Sequence, residues 1–168
     1  PPFTLYPHSK RRPHRRMKDA PLDRTDIETL LPHRDPFLFI DRIIEVEYGQ
    51  RAVGIMEDAG AYEDTVLRGH FPGFPVLPGA IIVEALAEVG GIAALGMPEN
   101  VGKIAMLTGL DRWKFRRPAR PGHTLRLEAE LLRYRGNFGR AKARASINGD
   151  LCAEGEISFA IIDRPDDL

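Results

Sequence analysis

The chain has 168 residues and no net formal charge, with 43% hydrophobic and 29% charged residues, which fits one globular domain with an adequate core. Its apolar runs are interrupted by Glu84, Glu88 and glycines, so they exclude a membrane-spanning helix, and no secretory signal is visible. The single cysteine, Cys152, excludes an intramolecular disulfide and suits a reducing compartment, for which we expect the cytoplasm.

The first 18 residues carry positive charges and no negative ones. They contain four prolines and no apolar periodicity, which predicts a disordered tail at residues 1–18 and a single domain at residues 19–168. Met17 is the natural start if residues 1–16 are an upstream extension. The alternative is an arginine-rich transit peptide, although the prolines oppose an amphipathic helix. The basic residues of the tail are Lys10, Arg11, Arg12, Arg15, Arg16 and Lys18.

The first predicted elements are a short helix and a hairpin. The helix covers residues 26–31 and is capped by Thr25 or Asp26. Residues 37–49 are rich in β-branched and aromatic side chains, which indicates an extended segment, and residues 51–58 are expected to pair with it.

A long loop and a buried helix are predicted next. The loop, residues 58–78, holds three prolines, and its aromatic content favours a functional loop over a disordered one. Residues 80–89 lack glycine and proline and are apolar on nearly every side, which predicts a buried central helix. Gly90 and Gly91 either allow another backbone to approach closely or weaken the helix end.

The apolar period then changes to two, which predicts strands. Three runs fit this pattern, at residues 103–115, 124–135 and 139–147. Asn148-Gly149 is a strong hairpin signal, and a last strand follows it. Five or six mostly antiparallel strands with one long buried helix predict an α+β fold.

Two glutamates interrupt the predicted central helix. Glu84 and Glu88 are four residues apart and therefore share a helix face. Burial of a carboxyl raises its pKa, which provides the proton donor that general acid catalysis needs near neutral pH. The apolar neighbours of Glu84 favour this interpretation. For Glu88 the alternative, a side chain that reaches solvent or pairs with an arginine, stays equally open.

The stretch before the helix, GHFPGFPVLPG, holds a histidine among glycines and prolines. A neutral imidazole is the usual general base near neutral pH, and this restricted loop would hold His70 in place. The helix N terminus at Gly79 is either an oxyanion site for a thioester or ester carbonyl or an ordinary proline-started helix. A base, an acid and an oxyanion donor together suit proton abstraction beside a carbonyl with loss of a β-hydroxyl.

No metal or cofactor site is expected from the remaining pattern. The cysteine and histidine spacing matches no zinc motif, and the nucleophile-elbow, Walker and dinucleotide glycine patterns do not occur. A metal site formed by His70, Glu84 and Glu88 has no recognised spacing. We interpret the four other histidines as non-catalytic: His8, His14, His33 and His123.

Several motifs together resemble a known family. LPHRDPFLFIDRI, GHFPGFPVLPG, EALAE and GLDRWKFRRPARPG, with the closing strands, are similar to bacterial (3R)-hydroxyacyl-[acyl-carrier-protein] dehydratases of the FabZ type, over residues 25–162. The resemblance implies the hotdog fold, in which an antiparallel sheet wraps around a long helix. It also implies a hydro-lyase of fatty acid elongation that makes a trans-2-enoyl thioester and water without a cofactor.

The resemblance further implies residue roles and an assembly. His70 would be the catalytic histidine, and Glu84 would be the catalytic glutamate, supplied by the neighbouring subunit of a dimer. The N–H of Gly79 would hold the thioester carbonyl, and the carbonyl of Val76 would orient the histidine. The family is usually a hexamer of three dimers with an apolar acyl tunnel.

The second half of the domain is rich in positive charge. Residues 103–144 carry twelve basic residues and three acidic ones. Most are expected to lie on the solvent faces of strands, but the segment KFRRPAR is denser than strand alternation requires. Because the family's carrier protein is acidic, we expect a docking patch formed by Lys114, Arg116, Arg117 and Arg120. Neither nucleic acid nor a membrane is expected as a partner.

Two positions depart from the family's pattern. Glu88 stands where glutamine is common, so an acid there would raise the pKa of Glu84 or compete for its partner. Asp35 stands where an aromatic residue is common, so a contact near the site would be lost. The related dehydratase–isomerase has aspartate at the position of Glu84, so we expect dehydration without dedicated isomerisation.

Two alternative functions stay open. A hotdog thioesterase would direct its attack at the carbonyl carbon and release a free thiol. A non-catalytic acyl-thioester-binding protein would bind without turnover, although the presence of both His70 and Glu84 argues against it.

Overall fold

The computed structural model describes residues 18–62, 64 and 67–165. The predicted tail therefore lies outside the described residues except for Lys18, whose ammonium group contacts Asp26 and whose carbonyl accepts a hydrogen bond from Tyr48 at 2.7 Å. The described helices and strands are α1 Arg24–Leu30, β1 Arg42–Glu47, β2 Arg51–Met56, α2 Gly79–Leu95, β3 Lys103–Phe115, β4 Leu125–Arg135, β5 Phe138–Ile147 and β6 Asp150–Asp163, with short 3-10 turns at Leu67–Gly69 and Pro98–Asn100.

The strands form one antiparallel sheet in the order β1-β2-β4-β5-β6-β3. α2 packs against this sheet, chiefly against β4 and β2. A six-stranded antiparallel sheet around one long helix is the hotdog arrangement, so both the α+β prediction and the implied fold are confirmed. Within the described residues, no helix combines the length and the apolar character that a membrane crossing needs.

α2 is buried on most of its sides, as its apolar sequence predicts. At Gly54 a Cβ atom would lie 2.7 Å from Cγ2 of Val89. β2 and the helix therefore approach each other more closely than they could if residue 54 had a side chain. The helix continues through Gly90 and Gly91 rather than weakening there. A Cβ at Gly91 would lie 3.1 Å from Cδ2 of Leu31, so it is a side chain, and not another backbone, that packs closely against this position.

Local sequence signals predicted the positions of the strands more accurately than the start of the first helix. The predicted strand at residues 103–115 coincides with β3, and Asn148 and Gly149 both have positive φ, as a type I′ turn requires. The predicted cap of α1 was wrong, since the helix is capped by Asp23. The Asp23 carboxylate accepts the Asp26 N–H at 2.9 Å and the Asp26 carboxylate accepts the Asp23 N–H at 3.1 Å, which is a capping box.

Candidate active site

The ring of His70 is tied to the backbone of Val76. His70 Nδ1 lies 2.8 Å from the Val76 carbonyl, and the Val76 N–H donates to the His70 carbonyl at 3.0 Å. Because a carbonyl only accepts hydrogen bonds, Nδ1 must carry the proton, and the lone pair of the neutral imidazole is then on Nε2. The loop therefore presents Nε2 as the atom that can take up a proton.

The loop that carries His70 is braced by aromatic rings and by the segment after β3. The ring of Phe71 stacks against the imidazole with centroids 4.2 Å apart. The Leu77 N–H donates to the Ala119 carbonyl at 2.8 Å. The guanidinium of Arg120 lies 4.3 Å from the ring centroid of Phe74, in cation–π range. The basic segment is thus in direct contact with the histidine loop.

The N terminus of α2 follows this loop directly. Pro78 is the N-cap and provides no side-chain hydrogen bond to the first turn, so the dipole and the N–H groups of this end favour a negative charge. A Cβ at Gly79 would lie 2.8 Å from the ring of Phe115. A side chain at position 79 would therefore displace Phe115 as well as narrow the approach to the helix end.

Glu84 is paired with a histidine that the sequence analysis set aside. Oε1 of Glu84 lies 3.4 Å from Nε2 of His33, and both side chains are about one-quarter exposed, at 24% and 25%. Within the described part of the chain, no ion pair joins Glu84 to His70. The sequence placed His33 in a turn and gave no local sign that this turn packs on α2.

Glu88 lies one helical turn beyond Glu84 and is buried, with 1% of its surface exposed. Its two carboxyl oxygens lie 2.9 and 3.2 Å from the N–H of Phe39, which donates to them. Burial raises the pKa of Glu88 to about 8; the Phe39 N–H opposes the rise, and the charge of Glu84 adds to it. Of the two alternatives left open for this residue, the buried carboxyl is the right one, and it is protonated near neutral pH.

His33, Glu84 and Glu88 form one cluster, with their possible ligand atoms all within 4.8 Å of one another. The composition is that of a metal site, but metal ligation needs a deprotonated carboxylate. The Glu88 carboxyl keeps its proton near neutral pH and already bonds the Phe39 N–H. The cluster therefore suits proton chemistry better than metal binding.

Comparisons with known proteins place this chain in a family. A family model for the FabA-like domain matches residues 31–156. The 3-hydroxyacyl-[acyl-carrier-protein] dehydratase FabZ of Thermomicrobium roseum is 50% identical over 142 residues, which cover 84% of this chain and 94% of that protein. The chain belongs to the FabZ family. The FabZ of Geobacillus thermodenitrificans is 46% identical over 144 residues, which cover 86% of this chain and 98% of the relative.

Solved structures agree with the fold of the FabZ family. A chain of the dehydratase heterocomplex ApeI:P from Xenorhabdus doucetiae superposes with a TM-score of 0.70 at 18% identity, covering 82% of this chain and 91% of its own. A sigma28-regulated virulence protein from Campylobacter jejuni gives 0.62 at 20% identity, covering 83% and 98%. At these identities the likeness shows the hotdog fold alone.

The two departures from the FabZ pattern lie in different surroundings. The side chain of Asp35 is 89% exposed, and its carboxylate lies 3.3 Å from Nη2 of Arg24, so it is turned towards α1. Glu88, in contrast, is inside the cluster and in direct contact with Phe39. Of the two departures, only Glu88 therefore brings an additional titratable group into the site.

The four basic residues of the expected docking patch are all exposed but differ in their partners. Arg116 lies 2.7 Å from Glu154 and Arg117 lies 2.7 Å from Asp150. In the part of the chain that the structure describes, Lys114 and Arg120 form no salt bridge, although Lys114 lies opposite Glu154 in the β-ladder. Local acids therefore offset part of the positive charge that the sequence shows at 114–120.

Glu88→Gln should remove a pH-dependent destabilisation. The folded state holds the Glu88 proton up to about pH 8, whereas the unfolded chain loses it near the ordinary pKa of 4.5, so this group lowers stability as pH rises between those values. Glutamine keeps an acceptor for the Phe39 N–H. The variant should therefore gain stability over the wild type as pH rises, by a few kcal/mol on the order of the pKa difference.

Urea denaturation between about pH 5 and pH 9 measures this difference. Glu130→Gln, at an exposed position on β4, controls for the loss of one carboxylate. Parallel stability curves for Glu88→Gln and the wild type would show that the buried carboxyl does not retain its proton.

Proposed function

We propose that this protein dehydrates (3R)-3-hydroxyacyl groups on acyl carrier protein and so produces the trans-2-enoyl thioester of the fatty acid elongation cycle. The observation that carries the proposal is the sequence identity of 46 to 50% with FabZ dehydratases, which extends over most of both chains. The site offers what the reaction needs: an imidazole with a free Nε2 lone pair, a carboxyl on the buried helix, and a helix N terminus without a side-chain cap.

The proposed reaction assigns one proton transfer to each side chain. Nε2 of His70 takes the α-proton of the thioester, and the electron pair of that C–H bond moves towards the carbonyl. The negative charge that develops on the carbonyl oxygen is stabilised by the N–H of Gly79 at the helix end. Glu84 donates a proton to the β-hydroxyl, the C–O bond breaks, and water leaves as the double bond forms.

The Val76 carbonyl supports the role of the base. A hydrogen bond at 2.8 Å to Nδ1 holds the imidazole in the tautomer whose Nε2 can accept a proton. When Nε2 is protonated during the reaction, the same carbonyl stabilises the positive ring by a charge-assisted hydrogen bond.

We further propose that the histidine and the glutamate of one site come from two subunits of a dimer, and that dimers assemble into a hexamer. The Glu84 partner within the chain is His33, not His70. β3 is an edge strand of the sheet, and such a strand offers unpaired backbone groups to a second chain. Apolar side chains stand exposed on it: Met106, Leu107 and Leu110. We also propose that the protein is located in the cytoplasm.

His70→Ala and Glu84→Gln should each lower turnover on the order of a hundredfold or more, because each removes one partner of the proton transfers. The assay is conversion of 3-hydroxybutyryl-carrier protein, followed by the absorbance of the conjugated enoyl thioester. Thiol release by the wild type without enoyl product would instead identify a thioesterase. Binding of the substrate without turnover would identify an acyl-thioester-binding protein.

Mixing the two inactive variants tests the division of the site between subunits. If each site takes its histidine and its glutamate from different chains, a mixed dimer contains one intact site, and subunit exchange in an equal mixture should restore about a quarter of wild-type activity. Each variant incubated alone is the control and should show no recovery. No recovery despite exchange, verified by mass-tagged subunits, would place both residues of a site in one chain.

We also propose that Lys114, Arg116, Arg117 and Arg120 dock the carrier protein. The four side chains are exposed, and the segment they occupy contacts the histidine loop through the Leu77–Ala119 hydrogen bond at 2.8 Å. A partner bound there would lie beside the loop that holds the base, so that a tethered acyl group has a short path to the site.

Lys114→Glu should raise KM for carrier-linked substrate severalfold, because it places a negative charge where the acidic carrier would bind, while Lys114 has no salt bridge whose loss would disturb the fold. KM for a carrier-free thioester should stay unchanged. Arg133→Glu, which reverses an exposed charge on β4, is the matched control. An unchanged KM for carrier-linked substrate would show that the patch does not bind the carrier.

A further inference from the structure

The turn that contains PHRDPF is fastened to α2 at two points. Nε2 of His33 lies 3.4 Å from Glu84 near its start, and the N–H of Phe39 donates to Glu88 at 2.9 Å at its end. Because Glu84 and Glu88 are one helical turn apart on one face, residues 33–39 span that turn of the helix. The position of the turn relative to Glu84 is therefore set by the helix itself.

The backbone on both sides of His33 is fixed by the next residue. The guanidinium of Arg34 donates to the carbonyls of Glu28 at 3.1 Å, Leu31 at 3.0 Å and His33 at 2.6 Å. The N–H of Phe37 donates to the Arg34 carbonyl at 2.7 Å. These bonds tie the turn to the end of α1, so the direction in which the imidazole projects is set by the backbone.

The two nitrogens of this imidazole have different surroundings. Nδ1 is buried and has no hydrogen-bond partner, and the ring stacks on Phe37 with centroids 6.4 Å apart at 16°. A buried N–H without an acceptor costs more than a buried lone pair without a donor. The neutral ring of His33 therefore carries its proton on Nε2, which faces Oε1 of Glu84.

We propose that His33 is a positioning residue that holds Oε1 of Glu84 by its Nε2–H and so leaves Oε2 as the oxygen that delivers the proton. This inference rests on the proposed dehydration. A donor on Oε1 keeps the acidic proton of Glu84 on the other oxygen, Oε2. The two histidines thus serve through opposite tautomers: His70 offers a lone pair on Nε2 to the substrate, and His33 offers a proton on Nε2 to the acid.

Two substitutions separate the N–H of His33 from the bulk of its ring. His33→Phe keeps a ring against Phe37 but has no N–H, whereas His33→Gln places an amide N–H near the position of Nε2. His33→Phe should lower kcat for a carrier-free thioester by on the order of tenfold with little change in KM, because the acid is misplaced and not the substrate. His33→Gln should recover most of this loss.

The pH profile of kcat provides a readout that a purely structural role would not change. If the N–H of His33 acts on the acid, the pH profile of kcat should differ from that of the wild type in His33→Phe and return to it in His33→Gln. His14→Phe, at a histidine of the basic first segment, is the control and should leave both kcat and the profile unchanged. Thermal unfolding of each variant identifies any loss of folded protein.

The outcomes separate this inference from the function on which it rests. Full activity and an unshifted profile in His33→Phe, with Glu84→Gln inactive, would overturn the positioning role and leave the dehydration intact. Equal losses in His33→Phe and His33→Gln, with unchanged unfolding, would also overturn it, since the N–H would then be irrelevant. If His33→Phe does not fold, the profile of His33→Gln decides: a wild-type profile supports the role and a shifted one overturns it. Absence of enoyl product from the wild type would overturn the proposed function itself.

Discussion

The burial of α2 against the sheet is the constraint on which the rest of the structure depends. The helix is apolar on nearly all sides, and at Gly54 the sheet leaves no room for a side chain between β2 and Val89. Any polar group on such a helix must find a partner, since an unpaired charge in these surroundings is costly. Glu84 and Glu88 meet this requirement through the turn that contains His33 and Phe39.

The same burial determines where a proton resides. Two carboxyl groups one helical turn apart do not both ionise readily away from water. Glu88, the more deeply buried of the two, accepts the Phe39 N–H and has its pKa raised to about 8. It is therefore neutral near pH 7 and adds no negative charge next to Glu84. Near neutral pH this position therefore carries an uncharged, hydrogen-bonding group.

Much of this architecture could be predicted from the sequence because its signals are local. An apolar period of two predicted the strands after residue 102, and Asn148-Gly149 predicted the last hairpin, since both patterns depend on neighbouring residues alone. The cap of α1 was misplaced because Asp23 and Asp26 cap reciprocally, and several candidate residues stood side by side. The contact of His33 with Glu84 could not be predicted, because it joins residues 51 positions apart. The acidic partners of Arg116 and Arg117 could not be predicted for the same reason, since they lie on β6.

The contact between Arg120 and Phe74 has a consequence for how this surface can change over evolutionary time. Arg120 lies over the ring of Phe74, and the neighbouring Ala119 accepts the hydrogen bond of Leu77, so the exposed basic segment and the loop of His70 form one mechanical unit. Substitutions in the basic segment would therefore also shift the ring of Phe74, which supports the loop of His70. The sequence of the basic segment and the position of the His70 loop are therefore not independently adjustable, and a substitution in one calls for a matching change in the other.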